Sequence, residues 1–159
     1  MVIEIFADGL DREHVNRENH HRACRGVILR EGKVLGEYFP KRDVFNLPGG
    51  GWEAGETGEE CCRREVREET GYEVISLFPT VTVWEYFPEA TFESHFFRCE
   101  VAPTEPKTTL PTDQEIIDGL QSGWYDLFDF LERLESYESR DPFGSNVHQR
   151  ELIGLLNSI

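Results

Sequence analysis

Between Leu47 and Tyr72 the chain reads LPGGGWEAGETGEECCRREVREETGY, and no other stretch leaves it so few ways to fold. Pro48 followed by Gly49, Gly50 and Gly51 demands a loop whose backbone can take positive φ and approach a ligand closely. Thr57 with Glu60 three residues later is a capping box, which starts a helix. Gly71 stands where a left-handed residue stops one. Between these signals lie about three to four turns, at 1.5 Å rise per residue.

Placed at about 100° per residue from Cys61, Glu65 falls near 40°, Glu68 near −20° and Glu69 near 80°. Three carboxylates therefore share one arc. Cys62 and Val66 flank it and are expected to face the core, with Arg63, Arg67 and Thr70 opposite. Like charges one turn apart cost about 0.2–0.5 kcal/mol per pair, and Glu68 and Glu69 also meet the negative end of the helix dipole. Two readings compete: an acidic face left to solvent, or a cluster of hard oxygen ligands for a divalent cation. The glycine loop, whose carbonyls and amides can touch metal or phosphate, favours the second.

These residues resemble the signature of the Nudix hydrolases: G, five residues, E, seven residues, then R-E-apolar-x-E-E-x-G-apolar. Gly50, Glu56, Arg64, Glu65, Val66, Glu68, Glu69, Gly71 and Tyr72 occupy it, and all seven glycine and charged positions match. Tyr72 stands where an aliphatic residue is usual, and Cys61 and Cys62 where small alanines are common. The resemblance, MutT-like and spanning about Arg22 to Leu134, implies an α+β fold: an α/β/α sandwich with a central mixed β-sheet flanked by helices. It implies a Mg²⁺- or Mn²⁺-dependent hydrolase that cleaves a diphosphate linkage in a nucleoside diphosphate joined to a further group. Glu65 and Glu69 are the first expected metal ligands, Glu68 completes the cluster, and the Gly49 carbonyl joins by resemblance. Glu56 and Arg64 are expected to pair and hold loop to helix. The family also draws a further Glu from residues 112–123, where Glu115 is the candidate beside Asp113 and Asp118. Either Glu68 or Glu115 can serve as general base. Arg22, Arg42 and Gly50 are candidates for substrate phosphate, with Arg25 and Lys41 near them. An isopentenyl-diphosphate isomerase of similar fold, or a nucleotide sensor without turnover, are the alternatives; the intact set of carboxylates disfavours the sensor.

A chain of 159 residues supports one domain with a sizeable core. Its net charge of −15 argues against nucleic-acid polymers as partners, so an anionic nucleotide must be drawn by local cations. The four cysteines form no C-x-x-C pair and read as buried free thiols in a reducing cytoplasm. The opening MVIEIFADG has no basic region and no long apolar run, so neither a signal peptide nor a membrane span is expected. The first twenty residues and the last helix lie outside the resemblance and leave room for homodimer contacts.

Elsewhere the pattern predicts an edge strand at Val2 to Phe6 and a polar loop from Asp11 to Arg22, with His20 and His21 in solvent. A hairpin follows, Ala23 to Leu29 and Lys33 to Tyr38 around Glu31-Gly32. Three strands are expected after the helix, at Glu73 to Leu77, Thr80 to Phe87 and Phe92 to Val101, separated by Pro79 and by the Pro88-Glu89-Ala90 turn. Trp84, Tyr86, Phe92, Phe96 and Phe97 are aromatic enough to stack a base, though core is the commoner use. A short strand at Trp124-Tyr125 precedes a helix capped by Asp126 or Asp129, with Phe128, Leu131 and Leu134 on one face. A final helix over about 146–158 is expected to be capped by Ser145 or Asn146.

Overall fold

The computed structural model describes residues 1–159. In chain order its strands are β1 (Val2–Phe6), β2 (His20–Arg30), β3 (Lys33–Phe39), β4 (Val44–Asn46), β5 (Val74–Tyr86), β6 (Thr91–Val101) and β7 (Gln121–Asp126). The helices are α1 (Gly58–Thr70), α2 (Asp113–Asp118), α3 (Leu127–Ser136) and α4 (Gly144–Leu156).

The architecture follows from a hairpin that comes apart. β2 and β3 share only the pairs Leu29↔Val34 and Arg30↔Lys33 next to the Glu31-Gly32 turn. Beyond these, β2 runs parallel to β6, while β3 is flanked by β4 and β7, both antiparallel. β5 pairs antiparallel with β6, and β1 lies parallel to β5 at the edge. Splaying leaves backbone donors of β2 without a strand, and such groups must find partners. The glycine loop supplies them: Cys24 N donates to Gly50 O at 2.9 Å and Gly26 N to Pro48 O at 2.8 Å. The loop is thereby fastened between the two halves of the sheet.

Alternation along the strands sends side chains to two layers. Cys24 and Ile28 join Cys61, Cys62, Val66, Phe97 and Cys99 under α1. Val27, Val34, Phe45, Leu47 and Phe96 join Phe130, Leu134 and Leu155 from α3 and α4 on the other face. This is the expected α+β sandwich with a mixed sheet between helices. All four cysteines are buried and free, as expected.

Several expectations need correction. Pro79 does not divide two strands: β5 runs through it, and the ladder with β6 is irregular between Pro79 and Thr82, a position where a missing N–H is tolerated. His20 and His21 are exposed as expected but begin β2 rather than lying in a loop, stacked on Trp84 and Phe92 with centroids 5.1 Å apart in each case. Thr70 is buried, its hydroxyl donating to Val66 O at 2.6 Å. Asp126 caps α3, but the buried face is Phe130 and Leu134, while Phe128 is exposed. α4 begins earlier, at Gly144, with Phe143 at the cap and no side-chain cap bond from Ser145 or Asn146. The segment that carries Glu115 adds a short helix that no expectation included: α2 forms on its own capping box, Thr112 with Glu115.

Candidate functional site

α1 is built as its sequence requires. Thr57 accepts from Glu60 N, the Glu60 side chain accepts from Thr57 N at 2.8 Å, and Gly71 ends the helix in the left-handed region. With both ends fixed, the acidic arc is aimed at the glycine loop. Glu65 and Glu69 are buried, at 8% and 3% exposure. Across from them α2 delivers Glu115, and one carboxylate oxygen from each of Glu65, Glu69 and Glu115 lies within 4.8 Å of the others.

Each of these three carboxylates has one oxygen fixed by the protein and the other without a donor. Glu65 Oε1 accepts from Arg64 Nη1 at 2.7 Å, Glu69 Oε2 from Gly49 N at 3.0 Å, and Glu115 Oε2 from Thr112 N at 2.6 Å. The Gly49 carbonyl also meets no donor, although its neighbours Pro48 O and Gly50 O are both bonded to β2. Gly49 itself, at φ 156°, fits only without a side chain, because a Cβ would stand 2.0 Å from Cys24 O.

Electrostatics point the same way. Burial, then the charge of Glu37, holds the Glu69 carboxyl well above its usual range. Burial raises Glu65 too, against the opposing pull of Arg64. Glu37, on β3, is 1% exposed, burial pushes it up to about 7, and its Oε1 is buried with no hydrogen-bond partner. Buried carboxylates without a counter-charge are strongly unfavourable, so this pocket of oxygens calls for a proton or a cation. Opposed ligands of a small divalent ion at about 2.1 Å stand about 4.2 Å apart, close to the spread of Glu65, Glu69 and Glu115. The donor set, all hard carboxylate oxygens, fits a divalent cation such as Mg²⁺ or Mn²⁺.

Arg64 is the strut. Its guanidinium binds Glu56 at 2.7 and 3.1 Å, Glu65, and Gly51 O at 3.1 Å, which locks loop to helix as the sequence implied. It also takes Glu68, at 3.3 Å. Glu68 is thus placed beside the cluster rather than in it, a departure from the expected ligand set.

The expected phosphate contacts divide. Arg22 lies over the Trp52 ring at 4.5 Å and, with Arg25, Gly51, Ser94 and Arg150, lines a cleft of about 440 Å³ that abuts the loop. Arg25 is not a free surface cation: it is buried, bonded to Glu151 at 3.1 Å and to Cys24 O. Arg42 stands 3.9 Å from Asp141 and on the rim of a second, more apolar cavity of about 540 Å³, with Phe87, Phe92, Phe143 and Asn146. The two cavities share Phe92 and Arg150. Gly50 is packed against the Glu65 carboxylate and shapes the centre rather than lining either cleft. Of the aromatic residues, Phe96 and Phe97 are core.

Two residues were missed by the sequence. Glu151 on α4 is fully buried, where Leu47 N donates to its Oε2 at 2.9 Å while Arg25 and Arg150 hold its Oε1. One turn earlier His148 Nε2 accepts from Phe45 N at 2.9 Å. Together they latch the strand that enters the glycine loop. The signal was a polar pair at i, i+3 on an otherwise apolar helix face.

Comparison with known proteins agrees with this fold. The NUDIX domain family matches residues 19–146. A NUDIX hydrolase from Nitrosomonas europaea superposes with a TM-score of 0.62 at 23% identity, covering 82% of this chain and 87% of that one. An RNA pyrophosphohydrolase of Wolbachia pipientis is 28% identical over 76 residues, 46% of this chain and 47% of the relative. An ADP-ribose pyrophosphatase of Methanocaldococcus jannaschii is 44% identical over 52 residues, 31% of either chain. The aligned segments thus take in about half of these relatives' lengths or less. With 128 residues matched, from 19 through 146, the chain belongs to the NUDIX domain family.

Proposed function

We propose that the protein is a Mg²⁺- or Mn²⁺-dependent hydrolase of a diphosphate linkage in a nucleoside diphosphate joined to a small group. The observation that carries the reading is the set of Glu65, Glu69 and Glu115, each with one oxygen pinned and one unbonded within 4.8 Å of its neighbours. When bound, a divalent cation neutralises the diphosphate and lowers the pKa of attacking water. Everything else falls to the chain. Glu65, Glu69, Glu115 and the Gly49 carbonyl hold the cation. Arg64 and Glu56 keep loop and helix in register, which is positioning rather than chemistry. Glu115 is tied to the cluster and to its cap, so Glu68, beside the cluster, is the carboxylate left to take the proton from water. Arg22, Arg42 and Arg150 offer cations along the two clefts, where a chain of net charge −15 needs them to attract an anionic substrate. Phe92 and Phe87 give the farther cleft an apolar wall for the nucleoside or its partner group.

The names of the relatives, an RNA pyrophosphohydrolase and an ADP-ribose pyrophosphatase, have one bond type in common: a diphosphate. The acidic surface favours the small-molecule side of that pair. The test is a panel of nucleoside diphosphate conjugates, with isopentenyl diphosphate beside them, incubated with Mg²⁺, with products separated by chromatography, for wild type and Glu69→Gln. Release of a nucleoside monophosphate by wild type and a loss of about a hundredfold or more in the variant is expected. Rearranged substrate with no cleavage would indicate an isomerase, and tight nucleotide binding without turnover a sensor.

A further inference from the structure

β3 is a strand of the core, reading Lys33-Val-Leu-Gly-Glu-Tyr-Phe39, and Glu37 is its one buried charge. A carboxylate in that position contradicts the apolar pattern on either side of it, and such exceptions gather at functional sites. Its surroundings supply no cation of its own. No donor reaches Oε1. Arg25 acts on it electrostatically but is already bonded to Glu151 and to Cys24 O. Across the ladder, Asn46 pairs with Glu37 and also carries a buried oxygen, Oδ1, with no donor. An amide carries no charge, so Asn46 leaves that of Glu37 uncompensated. On its remaining side Glu37 is within hydrogen-bonding reach of Glu69, with Glu115 beyond, so that these carboxylates must share either a proton or a cation. A buried acceptor surrounded by other acceptors is what a hard cation satisfies and a side-chain donor here does not.

We propose that Glu37 is a fourth carboxylate of the metal centre, closing it from the sheet side opposite α1. The inference rests on the cation-binding reading of Glu65, Glu69 and Glu115 and extends it with a residue outside the family's signature. Three carboxylates from two helices leave the floor of the site to the sheet, and Glu37 is the charged group the sheet places there. Its removal therefore has opposite consequences with and without the cation. Without it, Glu37→Gln relieves like-charge crowding against Glu69. With it, the variant loses an oxygen ligand.

The experiment is titration calorimetry with Mn²⁺ alone on wild type, Glu37→Gln and the exposed control Glu135→Gln, paired with thermal melts in chelator and in Mn²⁺. The expected result is binding by wild type and Glu135→Gln, affinity lower by about tenfold or more in Glu37→Gln, and a higher melting temperature for that variant in chelator. Should the glutamine variant misfold, Glu37→Asp, which draws the carboxylate back by one methylene, is read by the same criterion. Wild-type binding with the variant within about twofold overturns the role of Glu37 alone. No Mn²⁺ uptake by wild type overturns this inference together with the reading it rests on.

Discussion

Replacing Gly50 by alanine isolates the geometry of the metal centre from the stability of the fold. A Cβ at this position would stand 2.6 Å from Glu65 Cδ and Oε1 and 2.8 Å from Oε2. Ordinary contact between such atoms is about 3.5 Å, so the carboxylate must retreat by about 0.9 Å. Gly50 does not hold a positive φ, so its backbone accepts alanine, and the side chain that gives way lies at the edge of the pocket. Metal–ligand distances tolerate about 0.2 Å, and a misplacement of about 1 Å costs on the order of a hundredfold in rate, or about 2.7 kcal/mol of barrier. Diphosphate hydrolysis under Mg²⁺, Mn²⁺ affinity by calorimetry and the denaturant midpoint should be measured side by side. The expected outcome is a loss of about a hundredfold in kcat/KM and weakened Mn²⁺ binding, with little change in midpoint. Turnover within about threefold of wild type with Mn²⁺ affinity intact would refute the placement of Glu65 in the centre. Gly49→Ala is the contrast: its Cβ meets the Cys24 carbonyl at 2.0 Å, so that variant should lose stability first.

The latch from α4 is tested by Glu151→Ala, which strands the buried Arg25 cation and the Leu47 N–H. Breaking a buried pair in this way costs about 3–5 kcal/mol in urea unfolding, and a cost below about 1 kcal/mol would mean the pair is decorative. Acid sensitivity should trace to Asp43. The Arg140 backbone N–H first, then the hydroxyls of Tyr137 and Tyr38, hold its carboxyl below the usual range. A folded-state pKa below the unfolded value of about 3.9 contributes stability that is present above that pH and is lost as pH falls through the folded value. Urea midpoints from pH 7 down to about 2 should show this loss, and Asp43→Asn should lower the midpoint at pH 7 and flatten the acid limb; an unchanged limb would contradict the assignment. His148 adds a second, higher window, because burial lowers its pKa. Its neutral form accepts the Phe45 N–H, so stability should fall as pH drops below about 6.5, and less so in His148→Gln.

The helix carrying the site was legible because its determinants are local. A capping box, a left-handed glycine and an acidic arc of period 3.6 are set by neighbours within a turn, and the structure reproduces them with Thr57, Glu60 and Gly71. What the sequence hid is set by contacts over long separations. A lone Glu37 in a strand has no spacing to betray it; only its presence in a buried apolar run is a clue. The apolar residues of α4, Leu152 and Leu155 among them, are its visible pattern, whereas its buried face includes His148 and Glu151 because Phe45 and Leu47 present N–H groups there. Glu68 shares the acidic arc but stands outside the three converging oxygens, a difference that angular position alone does not register. Pro79 misled because a proline reads as a break, and an irregular ladder in the tertiary structure accommodates it.

If Glu65, Glu69 and Glu115 hold one divalent cation, their oxygens must converge on it. Anomalous diffraction at the manganese edge from crystals soaked in Mn²⁺ tests it most directly. A peak about 2.1 Å from these carboxylates, absent in crystals of Glu69→Gln, is the predicted result. A map at saturating Mn²⁺ with no density among them, or with the ion held elsewhere while the three carboxylates stand unliganded, would contradict the account.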